Sequence, residues 1–414
     1  MLTARERRRY AMLQTAACLF TLAALAIQGA LEPSQGPPEE TVTVHPVYSS
    51  APSDEAVQRL MSKVGPSCCT SHEEGGCIEC TFEVAVNSSR IEWGDKGLDD
   101  DDAVVVAHVI RNSPILMILH LGANAIGDKG AAAIAEALKG NEALGILQLQ
   151  ENQIADAGAI AFAEMLNVNT RLRILSFNSN RIGDAGGVAL GQALGVNPKI
   201  SKIELNYNKI GDTGGVAIAK ALGVNKAKAL RVLHLGHNKV GDATAKTIAD
   251  SLRGNSTVLR VLYISTNNIG PEGGVAIGEM MRVNVEMQDL NIASNHIGDA
   301  GAVAIAGALK VNPSVYKLSL RLNEIRDAGA IAIAEALAVN KVLVEFYCGG
   351  NHYSQEAKQK LKDSVEGRPD REGRPVDPYA PTKGGRGPVP FNAPHPDALP
   401  ALSLMERTVR EHDL

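Results

Sequence analysis

Hydrophobic and polar positions along this chain recur in a fixed phrase. Leu147-Gln-Leu-Gln-Glu-Asn152-Gln-Ile-Ala-Asp156-Ala-Gly158 is one copy, and the general form is L-x-L-x-x-N-x-I-G-D-x-G. Its asparagine falls at Asn124, Asn152, Asn180, Asn208, Asn238, Asn267, Asn295, Asn323 and Asn351, in steps of 28, 28, 28, 30, 29, 28, 28 and 28 residues. Within each copy the hydrophobic period changes. Leu172-Arg-Ile-Leu175-Ser-Phe177 predicts a short strand, with Leu175 and Phe177 inward and Ile174, Ser176 and Asn178 outward. Leu172 breaks the alternation and is placed in the preceding bend, folded onto the core. The asparagine then sits in a tight bend, where its amide can satisfy backbone groups the bend leaves unpaired. Gly183-Asp184-Ala185-Gly186 turns the chain, and Asp184 is expected to cap the helix that follows by accepting from its first amides. That helix reads G-A-x-A-I-A-x-A-L, as in Gly301–Leu309 and Gly329–Leu337. Ala304, Ile305, Ala308 and Leu309 form one apolar face, and Glu136, Gln192, Lys220 and Glu335 lie away from the equivalent face in their own helices.

One such unit cannot bury its apolar face alone, so the units must stack and the ends must be capped. Strands stack at about 4.8 Å and helices need about 8–10 Å, so the strands line the inner side of a curved stack. A plain α/β domain does not account for so many near-identical phrases. The 28-residue period, the asparagine phrase and the Ala-rich helix resemble the ribonuclease-inhibitor-like class of leucine-rich repeats, over roughly residues 97–351. That class includes the repeat domains of NOD-like receptors and of the Ran GTPase-activating protein. The resemblance implies an α/β fold, a leucine-rich-repeat solenoid (horseshoe) with parallel strands on the concave face and helices on the convex face. It says little about function, because such repeats serve many partners.

Outside the repeats the pattern changes. Residues 1–10 are a basic segment, with Arg5, Arg7, Arg8 and Arg9 against Glu6. Ala11–Leu31 runs 21 residues without a charge, enough helix to cross a bilayer at about 1.5 Å per residue. Arginines before it and Glu32, Glu39 and Glu40 after it predict a signal anchor or a cleaved signal peptide that sends the rest across a membrane. An organelle presequence or a buried helix are the alternatives. Residues 32–52 read as a Pro-rich linker, and 53–115 as a Cys-containing N-terminal cap that includes a short helix begun by Ser53. Thr81–Val86 alternates as a strand and is expected to be the first edge of the sheet. The four aspartates Asp99–Asp102 are expected to serve the helix they precede rather than a calcium ion. Nine repeats follow over 116–351, then a capping helix over 352–365 and a Pro/Gly-rich tail over 366–414, read as disordered with a short helix at Ala401–Glu411.

The low aromatic share, 4%, fits a core of Leu, Ile, Val and Ala, and 45% hydrophobic residues in 414 suffice for a long one. The formal net charge of −5 gives no electrostatic case for nucleic-acid binding. Cys68, Cys69, Cys77 and Cys80 lie within thirteen residues. With an export segment upstream they are disulfide candidates; free thiols and a zinc site remain open, although adjacent Cys68 and Cys69 suit tetrahedral zinc poorly. Cys348 falls on an inward phase and is expected to be a buried thiol. Asn87-Ser-Ser89 and Asn255-Ser-Thr257 are candidate glycosylation sequons.

No P-loop, G-x-S-x-G or H-E-x-x-H motif occurs, and no cofactor or metal is implied. The outward strand positions form rows instead. One runs His120, Gln148, Ser176, Glu204, His234, Tyr263, Asn291, Ser319, Tyr347; beside it run Ile118, Ile146, Ile174, Lys202, Val232, Val261, Asp289, Lys317, Glu345, and Gly122, Gln150, Asn178, Asn206, Gly236, Ser265, Ala293, Arg321, Gly349. Such rows form an aliphatic face edged by Gln, Asn and His, suited to binding a protein. The competing reading is that the isoleucines only stabilise the sheet. Tyr207, Tyr263, Arg321 and Tyr347 are the hot-spot candidates by residue type. The expected function is a non-enzymatic interaction module, membrane-anchored or secreted, with a protein partner of unstated identity. The alternatives are a cytosolic GTPase regulator like the Ran GTPase-activating protein, and an innate sensor. The first is disfavoured by the N-terminus, the cysteines and the want of an acidic tail, the second by the want of a nucleotide-binding domain.

Overall fold

A computed structural model describes residues 51–65, 69–70, 82–224, 229–253, 258–366 and 378–379. The apolar stretch 11–31, Cys68, Cys77, Cys80, Asn255 and the helix expected at Ala401–Glu411 lie outside the described residues, as does the side chain of Cys69. The chain opens with α1 (Asp54–Val64), β1 (Cys69–Thr70), α2 (Phe82–Val86), β2 (Arg90–Glu92) and α3 (Asp100–Asn112). Strand and helix then alternate: β3 (Ile118–His120), α4 (Asp128–Lys139), β4 (Ile146–Gln148), α5 (Asp156–Leu166), β5 (Ile174–Ser176), α6 (Asp184–Val196), β6 (Lys202–Glu204) and α7 (Asp212–Gly223). The second half continues with β7 (Val232–His234), α8 (Asp242–Leu252), β8 (Val261–Tyr263), α9 (Pro271–Met281), β9 (Asp289–Asn291), α10 (Gly298–Leu309), β10 (Lys317–Ser319), α11 (Asp327–Val339), β11 (Glu345–Tyr347) and α12 (Gln355–Val365).

The strands form one open sheet in sequence order, β1 antiparallel to β2 and every later pair parallel. Pairing runs in register, so Ile118 faces Ile146 and Ile146 faces Ile174. The core lies between sheet and helices. Leu147, Leu149, Ile154, Phe162 and Leu166 are all buried, and the ring of Phe162 meets that of Phe177 edge-on at 5.0 Å. Truncating one such leucine to alanine costs about 2–5 kcal/mol.

Three ladders of polar side chains join neighbouring repeats. In the first, Asn152 donates through Nδ2 to the carbonyls of Leu121 (2.9 Å), Leu149 (3.1 Å) and Gln150 (3.2 Å), and its Oδ1 accepts from the Ile126 amide at 3.0 Å. The expected satisfaction of the bend therefore reaches into the preceding repeat. The second ladder stands where helix returns to strand. Asn169 donates to the carbonyls of Leu138 (2.7 Å) and Asn141 (3.0 Å) and accepts from Arg171 and Leu172. Asn141, Asn197, Asn284, Asn312 and Asn340 hold equivalent places, 3–8% exposed.

The third ladder corrects the capping expectation. Asp184 is the first residue of α6; the N-cap is Gly183, extended at φ −104 and ψ −155 and without a side-chain cap. The carboxylate acts across the repeat boundary instead. Asp156 Oδ1 accepts from Gly183 N (2.7 Å) and Gly186 N (2.9 Å), and Asp184 Oδ1 from Gly211 and Gly214, so each aspartate closes the start of the following helix. An N-cap glycine has no side chain to accept with, and the stacked neighbour supplies the acceptor.

The N-terminal edge also departs from expectation. Phe82–Val86 is helical, not a strand, and the first parallel strand is Arg90–Glu92, paired Arg90 to Ile118 and Glu92 to His120. Five alternating residues fit either element; the lateral register with β3 decides. Among the described residues ten parallel strands result, nine in the repeats 116–351 and one within the segment 53–115. The aspartates of this edge are structural, as expected. Asp99 caps α3 in a capping box with Asp102, and Asp100 begins the aspartate ladder by accepting from Gly127 and Gly130. Asp102, 1% exposed, pairs with Lys63 and Arg59 and so fastens α1 to α3. Ser53 caps α1, accepting from Ala56 N at 3.2 Å.

At the other end, α12 starts at a Ser354 cap. Two residues of the stretch read as disordered have a defined place. The carbonyl of Pro378 accepts from Cys348 N at 2.8 Å, where a further strand would pair, and the Tyr379 hydroxyl donates to the Lys358 carbonyl at 3.0 Å. Cys348 is buried and free, and burial pushes its thiol up to about 12.

Candidate interaction surface

Register turns the outward positions into three parallel rows on the concave face. The first is aliphatic across β3 to β5. Ile146 is 6% exposed while Ile118 and Ile174 are half-buried, so these isoleucines also support one another laterally. Gln148, Glu204, Tyr263, Asn291 and Tyr347 of the second row and Arg321 of the third are half-buried. His120 and His234 are buried by their own neighbours, 7% and 5% exposed. Tyr207 is not on the floor. It stands on the rim after β6, 47% exposed, and its ring stacks on His237 with centroids 3.8 Å apart. The structure thus gathers all twelve candidates on one face and its rim.

The charges of this floor pair among themselves. At the N-terminal end Arg90 Nε meets Glu92 Oε1 at 2.6 Å and His120 Nδ1 meets Glu92 Oε2 at 2.8 Å. Gln150 Nε2 lies 3.0 Å from the other ring nitrogen, His120 Nε2. Burial pushes the Glu92 carboxyl up, but the His120 bond and the Arg90 charge outweigh it and hold Glu92 below the usual range. The same constellation recurs in the centre: Lys202 Nζ lies 3.0 Å and His234 Nδ1 3.4 Å from Glu204 Oε1. There too burial is outweighed, by the His234 bond and the Lys202 charge, and Glu204 sits far below the usual range. His234 stacks flat on Tyr263 (4.4 Å, 4°), whose hydroxyl donates to Asp289 Oδ2 at 2.7 Å. Asp289 and Glu345 flank Lys317 Nζ at 3.2 and 3.7 Å. Burial would lower the Lys317 ammonium; the two carboxylates raise it above its ordinary value.

Sequence reading missed Arg90, Glu92 and His237 as members of this surface. The first two lie one 28-residue step before Ile118 and His120, so extending the period backwards locates them. His237 holds the same left-handed turn position as Tyr207, at φ 54 and 56 respectively. The row of asparagines 178 and 206 also does more than face outward. Asn178 Oδ1 accepts from Asn206 N (2.8 Å) and Asn206 Oδ1 from Gly236 N (2.7 Å). Among the described residues no group of three or more His, Cys, Asp or Glu is placed to hold a metal, and no helix is long and apolar enough to cross a membrane. Asn87 is exposed, with its amide nitrogen on the Glu83 carbonyl at 3.0 Å.

A second exposed feature lies where the helices end. Val168, Val196, Val224, Val283, Val311 and Val339 occupy one repeat position and are 46–62% exposed.

The leucine-rich-repeat family model matches eight times, over residues 112–135, 141–163, 168–191, 196–219, 228–249, 255–278, 284–306 and 311–334. With the open sheet of parallel strands and alternating helices, these matches make the chain a leucine-rich-repeat protein. Among solved structures it is similar to an internalin from Listeria monocytogenes, at 16% identity and TM-score 0.38, over 74% of this chain and 91% of that one. It is also similar to actin-binding site 2 of leiomodin-1 (18%, TM-score 0.29, 44% of this chain and 86% of that one). A plant ice-binding protein matches at 14% identity and TM-score 0.37, over 59% of this chain and 68% of that one. Such likenesses carry nothing about partners. No curated protein matches the chain in sequence.

Proposed function

We propose that this chain is a non-enzymatic interaction module that binds a protein partner on the concave face, chiefly across β3 to β8. Leucine-rich repeats suggest a protein-interaction module in general. The observation that carries the finer reading is the make-up of that face. An aliphatic strip, Ile118–Ile146–Ile174, runs into two aromatic stacks, Tyr207–His237 and His234–Tyr263, on a rigid sheet whose floor charges are mutually paired. Aromatic anchors beside apolar floor, with charges already satisfied, are what a protein-binding centre offers. Ile146→Asp together with Tyr263→Asp is expected to abolish partner capture, with circular dichroism unchanged. Capture that persists in the folded double variant refutes the assignment.

The apolar stretch 11–31, with arginines before and acids after it, supports routing into a membrane system with the repeats luminal or extracellular. Protease protection of the repeats in sealed microsomes, lost on adding detergent, is the expected result. Digestion without detergent places them in the cytosol and overturns this part of the reading.

A further inference from the structure

We propose that the concave face carries an occupant from the same chain: the Pro-rich segment Pro388–Pro400 seats on the aromatic centre formed by Tyr207, His237, His234 and Tyr263. This rests on the concave face being the binding surface. The segment lies outside the described residues.

The tether is fixed at the C-terminal end of the sheet. In the repeats, the residue after each strand donates to a carbonyl of the next strand, as Leu320 N does to Tyr347 O at 2.7 Å. Cys348 N makes the equivalent bond to Pro378 O at 2.8 Å, so the returning chain takes the place of a further strand. Tyr379 is held beside it, its ring 6.4 Å from that of Tyr353 and under the Lys358 ammonium at 4.9 Å. The chain therefore continues from the end of the very sheet whose face needs covering. From Tyr379 to Pro388 is nine residue steps, which extended chain spans in about 28 Å. From the place of that further strand, one spacing beyond β11, back to β7, where His234 stands, is five strand spacings, about 24 Å. The linker reaches.

Charge and shape select the occupant. Pro388-Val-Pro-Phe-Asn-Ala-Pro-His-Pro-Asp-Ala-Leu-Pro400 has five prolines and a single formal charge, Asp397. Such a sequence favours polyproline II, which docks on aromatic-lined grooves at low entropic cost. The centre of the concave face offers aromatic surface of that kind: Tyr207, 47% exposed, is stacked on His237, and half-buried Tyr263 is stacked on His234. It is also electrostatically closed: Glu204 is matched by Lys202 and His234, and Asp289 by Lys317. Burial lowers the His237 ring below its ordinary value, which keeps the rim stack uncharged at neutral pH. A neutral surface suits a neutral segment, and an acidic or basic one gains nothing there.

The test uses the full-length chain and a copy in which Pro388–Pro400 is replaced by Gly/Ser of equal length. The probe is a labelled synthetic peptide of residues 387–401, read by fluorescence anisotropy. It is expected to bind the replaced chain and to bind the unaltered chain about tenfold more weakly, because a tethered competitor acts at an effective concentration on the order of 1 mM. Tyr207→Ala in the replaced chain is expected to weaken the peptide at least about fivefold, a stacking loss. The affinity should move less than about twofold between low and high salt, since no free charge is engaged. No binding to the replaced chain, equal binding to both chains, or strong salt dependence overturns the proposal. Partner capture with the Ile146→Asp and Tyr263→Asp double variant is read separately, so failure of the peptide leaves the protein-binding reading to stand or fall alone.

Discussion

The repeats between Asp100 and Gly270 and the repeat that follows Pro271 are written in the same phrase, yet they start their helices differently. In the first region an aspartate at the head of each helix accepts from the first amides of the next one, as Asp242 does from Gly270 N (2.7 Å) and Gly273 N (2.9 Å). Pro271 stands where the next aspartate would be. Its own helix loses nothing: Asp242 still closes α9, and proline at the first helical position is pre-organised. The loss falls one repeat later. With no carboxylate to receive them, the amides at the start of α10 find other acceptors, Gly298 N the Asn323 carbonyl at 3.0 Å and Gly301 N the Ile297 carbonyl at 3.1 Å. Gly298 takes φ +57, which glycine alone adopts cheaply, and α10 begins one residue early behind a helical Ile297. The Ile297 amide no longer faces the asparagine ladder, and Asn323 Oδ1 is left buried without a hydrogen-bond partner among the described residues. One missing carboxylate thus disturbs two ladders in a neighbour. The helices themselves pack as closely as in the intact region: a Cβ on Gly274 would lie 2.9 Å from the Gly301 Cα, as one on Gly187 would from the Gly214 Cα.

The comparison can be broken most severely at the asparagines. Asn180→Ala removes three donations and one acceptance in the intact region and should destabilise by about 2–4 kcal/mol. Asn323→Ala, whose Oδ1 has no partner to lose, should cost about 1 kcal/mol less, both read by denaturant unfolding. Next in size, Asp156→Ala leaves the Gly183 and Gly186 amides without their acceptor. A cost of about 1–2 kcal/mol is expected, together with faster amide exchange at α6 rather than at α5, where Asp156 itself resides. If exchange rises in α5 instead, capping across the boundary is wrong. The reverse experiment is Pro271→Asp. Restoring the carboxylate should stabilise by up to about 1 kcal/mol and slow exchange at Gly298 and Gly301; no change at those amides would mean that the Gly298 turn is set by something other than the missing aspartate.

The smallest effect concerns the floor charges. Glu204 has a folded-state value far below the ordinary one, so it stabilises the protein above its unfolded value, near pH 4, and that contribution is lost as pH falls through the folded value. Glu204→Gln should therefore lower stability by about 1 kcal/mol at pH 7. The gap should narrow only in acid, below about pH 4, with the Glu92 pair behaving likewise. A gap that persists unchanged into strong acid would place the effect in packing rather than charge.

Much of this was legible beforehand, for a local reason. The 28-residue period states where strand, bend and helix recur, and alternation within each strand states which residues face out. The rows on the concave face follow without coordinates. The exceptions all involve a neighbour. Phe82–Val86 carries a strand-like alternation and is helical because β3 pairs with Arg90–Glu92 instead. The aspartates looked like caps of their own helices, since sequence shows each beside its own helix and never beside the next. The mutual pairing of Glu92 with His120 and of Glu204 with His234 joins residues 28 and 30 positions apart.

By itself the sequence determined the repeat, its class of fold, the outward rows and the alternation of buried leucines, because each depends only on spacing within one unit. The tertiary structure decided which carboxylate closes which helix, how the floor charges cancel, and that Tyr207 stands on the rim with His237. Those outcomes depend on distances between units, set by strand pairing near 4.8 Å on one side and by helix packing on the other. A one-dimensional pattern repeats such distances but does not contain them.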